Sequence, residues 1–120
     1  MDKVNIAEKL DQIKDHWNPA LVGTVDNYDV KAVKLEGEFV WHKHDDEDEM
    51  FLVVDGAFEM HYRHEVVTVK SGEFIIVPKG VEHKPVAPEE CSIILFEKQG
   101  VVNTGDAPQS ELTRKPVQRN

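Results

Sequence analysis

Between Ala20 and Glu97 the chain is cut into short runs by turn-forming residues. The breaks fall at Asp26-Asn27, Glu36-Gly37, Asp55-Gly56, His64-Glu65, Ser71-Gly72 and Pro78-Lys79-Gly80. Asn and Asp bond to their own backbone, Gly permits positive φ, and Pro fixes φ, so such pairs mark turns. The runs between them are too short for ordinary helices. They predict strands over 21–25, 28–35, 38–43, 49–54, 57–63, 66–69, 73–77, 82–86 and 92–97. Phe58, Met60 and Tyr62 alternate with Glu59, His61 and Arg63, as in a strand with one face toward a core. Many short strands at regular spacing predict an all-β sandwich or barrel rather than a parallel α/β sheet. The chain shows no internal repeat, which predicts one barrel.

The first segment has a different period. Ile6, Leu10, Ile13 and Trp17 recur at spacings of four, three and four, which predicts one N-terminal α-helix with a single apolar stripe. Asn5 with Glu8 fits a capping box, and Asn18-Pro19 ends the helix. His16 is expected at the surface near that end. Three regions follow: a helical segment over 1–19 that packs on the barrel or on a second subunit, a barrel over 20–105, and a polar tail over 106–120. The last ten or so residues are expected to fray. Part of 101–112 could instead cross the barrel or a neighbouring subunit, and the residues leave both open.

Charge and apolar content narrow the partners. The 120 residues carry 23 acidic and 14 basic side chains, a net charge of −9. That argues against non-specific binding of nucleic acid or an anionic membrane. No apolar run reaches membrane-spanning length. Lys3, Glu8 and Lys9 interrupt any signal-peptide core, so a cytoplasmic protein is expected. Cys91 is the single cysteine. It permits no internal disulfide and no cysteine-based zinc site, and its apolar neighbours predict a buried thiol.

The residues that suggest chemistry are few. His42 and His44 are two apart, so in an extended segment both point to one side. Imidazole and carboxylate are ligands shared by zinc, iron, manganese and nickel. Two histidines at an exposed strand end would look the same, so the pair alone does not decide. Glu47 and Glu49 share strand parity. Glu49 is preferred because Met50 to Val54 continues from it as a strand. Asp45, Asp46, Glu47 and Asp48 read as a solvated loop whose charge is screened beyond roughly 8–10 Å. Phe51 and Val53 share parity with Glu49 and could line a pocket. Pro78 and Gly80 read as backbone devices that aim His83. His61 and His64 are three apart, on opposite faces of a strand, and are not assigned as ligands. Trp41 has the opposite parity to His42 and is expected in core or interface packing. Lys79 and Lys84 read as solvated.

Two ordered stretches resemble the motifs of the cupin family, in its small single-domain form. The first is Gly37, four residues, His42-Lys43-His44, four residues, Glu49, six residues, Gly56. It is one residue short after the first Gly. The second is Gly72, five residues, Pro78-Lys79-Gly80, two residues, His83, three residues, Ala87. Ala87 stands where the family pattern has Asn. The match runs from Gly37 to Ala87, under half of the chain. The resemblance implies an antiparallel jelly-roll β-barrel and a homodimer. It also implies one divalent transition metal (Fe, Mn, Ni or Zn) held by His42, His44, Glu49 and His83.

Such a ligand set leaves open positions on a six-coordinate metal, and permits Lewis-acid activation of a carbonyl or use of O₂. The first functional reading is therefore a metal-dependent enzyme on a small oxygen-rich molecule, either isomerase-like (as in mannose-6-phosphate isomerase and RmlC-like cupins) or dioxygenase-like. The acidic rim and the scarcity of pocket-facing Arg count against a phosphate group. The alternative is a non-catalytic module that binds or senses a small ligand or a metal. A storage or structural cupin is not expected, since those are longer, duplicated and secreted.

Overall fold

The computed structural model describes residues 1–114. One helix, α1 (Ile6–Asp11), precedes β1 (Ala20–Val25), β2 (Tyr28–Glu38), β3 (Glu49–Asp55), β4 (Ala57–His61), β5 (Val66–Lys70), β6 (Phe74–Val77) and β7 (Lys84–Lys98). The strands run in the order β1-β2-β7-β3-β6, with β4 pairing β5 and β7. Every pairing is antiparallel. This is a jelly-roll barrel with one short helix, as expected.

Strand parity sorts the side chains. On β7, Cys91, Ile93, Leu95 and Glu97 point inward. On β2, Asp29, Lys31, Val33 and Leu35 do the same. They meet Phe51 and Val53 of β3 and Phe58 and Met60 of β4 in one core. A second, smaller cluster lies on the outer face, where Leu10 of α1 packs on Ala32 and Ile94. Cys91 is fully buried, and burial pushes its thiol up to about 11, which keeps it unreactive.

Three element boundaries differ from expectation. The strands foreseen over 82–86 and 92–97 are one strand, β7, of 15 residues. Its first part pairs with β4 at Lys84, Pro85 and Val86. Its last part pairs with β2 and β3. The Pro88-containing stretch is not a break: the β2 ladder passes from Leu35↔Cys91 to Gly37↔Ala87 across a register shift. The same bulge absorbs Glu36-Gly37, so β2 runs on to Glu38. Beyond Glu38 the foreseen strand over 38–43 survives only as a bridge between His42 and His83.

The apolar stripe of the first segment is not carried on one helix. Asn5 caps α1 as expected, accepting from Glu8 N at 3.0 Å, but α1 ends at Asp11. Leu10 serves the outer cluster and Trp17 the inner one, and a single straight stripe cannot reach both faces of the sheet. Trp17 takes φ +59°. It stacks on Phe39 with ring centroids 4.7 Å apart, and its indole N–H donates to Glu36 O at 2.9 Å. Trp17→Ala should therefore lower stability by about 3 kcal/mol. Equilibrium urea unfolding checks this, and a change within about 0.5 kcal/mol would show that the segment is not anchored by this ring.

Candidate metal centre

The two histidine-bearing segments are joined by their backbones. His42 N donates to His83 O at 3.0 Å, and His83 N donates to His42 O at 2.9 Å. Gly80, at φ +78°, turns the chain after Pro78 and donates its N–H to His44 O at 2.8 Å. Asp48 Oδ1 accepts from Lys79 N at 2.9 Å. The turn between β6 and β7 is thereby stitched to the loop that carries His42 and His44. Glu49 opens β3, directly across from Val77 of β6 and Glu97 of β7.

These connections bring His42, His44, Glu49 and His83 together. All four are buried, and one candidate ligand atom from each lies within 4.8 Å of the others. Glu49 Oε1 is 3.4 Å from His44 Nε2 and 3.5 Å from His83 Nε2. Ligand atoms about 2.1 Å from a single ion stand about 3 to 4 Å apart. Glu47, the competing carboxylate, stays outside the group and borders surface grooves.

Hydrogen bonds set the histidine tautomers. His42 Nδ1 is 2.8 Å from Val40 O, and His83 Nδ1 is 2.9 Å from Val81 O. A carbonyl only accepts, so each Nδ1 carries the proton and each Nε2 presents a lone pair. His83 Nε2, His44 Nε2 and Glu49 Oε1 are buried without a hydrogen-bond partner. Buried polar atoms are rarely left so. Three of them converging on one point fit a metal cation.

The electrostatics keep His42 neutral and Glu49 ionised, and draw His44 toward its charged form. Burial, helped by His83, lowers His42 to about 4. Burial also opposes charge on His44, but the close Glu49 carboxylate outweighs it and raises that group. At Glu49 burial disfavours ionisation. The contact with Glu97 and the nearby His44 and His83 rings overcome it and hold the carboxyl well below the usual range. Glu97 goes the other way, raised well above that range by burial and by the neighbouring Glu49 charge. Their contact is therefore a carboxyl donating to a carboxylate.

A cavity opens beside the group. Trp17, Phe39, Phe51, His42, Glu49 and Glu97 are among its walls, and the volume open to the centre of a water-sized sphere is about 40 Å³. Phe51 lines it, whereas Val53 lies outside the lining, in the core.

The segment after β7 crosses beside the histidine loop. Lys43 N donates to Asp106 Oδ1 at 2.8 Å, and Asp106 N donates to Lys43 O at 3.2 Å. Gly105 fits against this strip at φ +54°, where a Cβ would stand 2.4 Å from Lys43 O and 3.0 Å from His42 Cδ2. Of the two courses left open for 101–112, the described residues follow the one along this barrel. The foreseen fraying falls partly on residues 115–120, outside the described residues.

Other readings resolve simply. His61 pairs with Glu59 at 2.9 Å and His64 lies 3.9 Å from Glu65, away from the group. Trp41 is not in the core: Arg63 Cζ lies 3.9 Å over its ring, and Lys84 Nζ lies 5.5 Å from it, a cation–π arrangement. Lys84 is paired with Glu38 rather than simply solvated. His16, Glu36 and Glu90 form a second acidic group at the surface. There His16 Nε2 is already 2.7 Å from Glu90 Oε2, so no donor is left wanting. Sequence reasoning missed Lys31 and Glu97, buried at 3% and 2% exposure and joined at 2.8 Å. Their parity with Val33 and Leu35, and with Ile93 and Leu95, was the available sign.

Similarity to known proteins follows the same residues. A family profile described as the cupin domain matches residues 31–97. The crystal structure of a cupin-2 domain protein from Shewanella frigidimarina is 43% identical, with a TM-score of 0.79 over 80% of this chain and 94% of that one. Protein NMB1881 from Neisseria meningitidis is 30% identical, with a TM-score of 0.74 over 81% of this chain and 99% of that one. YdbB of Bacillus subtilis is 26% identical over 81 residues, 67% of this chain and 72% of that protein.

Gly105→Ala should lower stability by about 1–3 kcal/mol, because the added methyl meets backbone rather than a movable side chain. Thermal unfolding beside Gly100→Ala, which has open space at its Cβ, separates the clash from the general cost of positive φ. Equal losses in the two variants would contradict the close approach.

Proposed function

Because this chain belongs to the cupin family, we propose that His42, His44, Glu49 and His83 hold one divalent transition metal in a small metal-dependent enzyme. The observation that carries this reading is the set of three buried, unpartnered donor atoms aimed at one point. Iron, manganese, nickel and zinc all suit three imidazoles and a carboxylate. Such a metal supplies Lewis acidity and, if iron, a route to O₂ chemistry.

The chain's own residues define the rest. Val40 O and Val81 O hold the His42 and His83 rings with Nε2 forward. Trp17, Phe39 and Phe51 give the cavity an apolar wall. Glu49 and Glu97 give it an acidic end. The cation of Lys31 is tied to Glu97, and no Lys or Arg is among the described lining residues to neutralise a phosphate. This favours dioxygenase-like chemistry on a small, uncharged, oxygen-bearing molecule over sugar-phosphate isomerisation. The small size of the cavity favours one second reading, a non-catalytic module that binds a compact ligand or the metal alone.

Elemental analysis of untagged protein tests the site. About one equivalent of metal is expected in the wild type, and at least tenfold less in His42→Ala/His44→Ala. Glu49→Gln should also lose metal while Glu47→Gln keeps it. No metal in the wild type after reconstitution would overturn the reading. Metal without O₂ uptake or turnover on small organic acids, phenols and sugars would move the binding module to first place.

We also propose a homodimer. Phe74 and Ile76 stand 58% and 51% exposed on β6, an edge strand, and such an edge invites pairing. Phe74→Lys/Ile76→Lys should shift sedimentation from dimer to monomer, and an unchanged dimer would place the interface elsewhere. No helix among the described residues is long and apolar enough to cross a membrane. A cytoplasmic location fits the single buried thiol of Cys91.

A further inference from the structure

The inside of the barrel carries more charge than the four-residue group requires. Asp29, Glu97 and Glu49 face one another in register across β2, β7 and β3, and all three are buried. Lys31 lies two residues beyond Asp29 on the same inner face. Its Nζ donates to Glu97 Oε1 at 2.8 Å, and Glu97 stands directly across from Glu49 in the β3–β7 ladder, with the two carboxyl groups in contact. A continuous line of polar contacts thus runs from a buried ammonium to the carboxylate of the metal centre.

This line is not what stabilises the barrel. Lys31 and Glu97 sit among Leu95, Phe51 and Ile93. A buried polar pair in such surroundings carries a desolvation cost, and replacing both partners with apolar groups of similar volume is often neutral or stabilising. Glu49 does have a use for the pair. Its Oε1 must face His44 and His83, and a free carboxylate rotates. A neighbour that holds the group by hydrogen bond fixes that rotation, as partners outside the ligand set do in metal sites generally.

We propose that Glu97 and Lys31 are positioning residues for the metal centre, Glu97 setting the orientation of the Glu49 carboxylate and Lys31 anchoring Glu97. The proposal rests on the metal reading above, and cobalt(II) is a probe that separates the two. Apo wild type, Lys31→Met/Glu97→Leu and Glu97→Gln would each be titrated with cobalt(II), recording visible absorption and affinity, and each apo form melted. The double variant is expected to melt at or above the wild-type temperature, to bind cobalt(II) about tenfold more weakly, and to show altered bands. Glu97→Gln keeps an acceptor for Lys31 and an N–H for Glu49, so its bands should stay near those of the wild type. A double variant with wild-type affinity and bands would overturn the proposal. So would a double variant that fails to fold, because the pair would then belong to the barrel and not to the site. If the wild type itself takes up no cobalt(II), the metal reading fails, and this inference fails with it.

Discussion

Strand β7 is the member on which the rest of the barrel hangs. It pairs with β4 near its start, with β3 over its second half and with β2 along most of its length, so one continuous backbone belongs to both layers. Its inward residues contribute Cys91, Ile93 and Leu95 to the core and then Glu97 beside Glu49. His83 precedes it by one residue. The position of the strand therefore sets, in one stroke, the packing of the core and the placement of two groups around the site. The register shift opposite Gly37 lets β2 follow it through the change of direction.

A barrel interior is an unfavourable place for charge, and this one holds Asp29, Lys31, Glu49 and Glu97. Isolated, each would be neutralised or drawn to water. Here they are adjacent, so that Lys31 meets Glu97 and Glu97 meets Glu49. Glu49 Oε1 and the facing imidazole nitrogens, together with Glu97 Oε2, are buried without a hydrogen-bond partner. The interior thus divides into an apolar half, around Phe58 and Met60, and a polar end.

Much of the fold was legible because strand parity and turn chemistry are local properties. The convergence of His42 with His44 follows from a two-residue period, and Glu49 was preferred over Glu47 because a strand starts at Glu49. What was not legible depends on distant partners. The end of α1 at Asp11 reflects two clusters on opposite faces of a sheet, which no stripe on the sequence reveals. The fusion of 82–86 with 92–97 reflects pairing on both sides of a strand that contains Pro88, a residue that locally argues for a break. Lys31 and Glu97 went unnoticed, because charge is normally the mark of the outer face of a strand, and only their parity with apolar neighbours places them inside. Trp41 was expected in core or interface packing, because its coat comes from distant segments: Arg63 from the turn after β4 and Lys84 from β7.

Asn103 links two segments that lie outside the ladders. Its side-chain N–H₂ reaches Trp17 O at 3.4 Å and Leu112 O at 2.8 Å, and its Oδ1 accepts from Arg114 N at 2.7 Å. Trp17 and Asn103 both border the cavity beside Glu49. Segments held by a few side-chain bonds open at far lower free energy than paired strands. On that side the cavity wall is as durable as the amide of Asn103, so exchange of its contents with solvent is a matter of local opening and leaves the barrel itself intact.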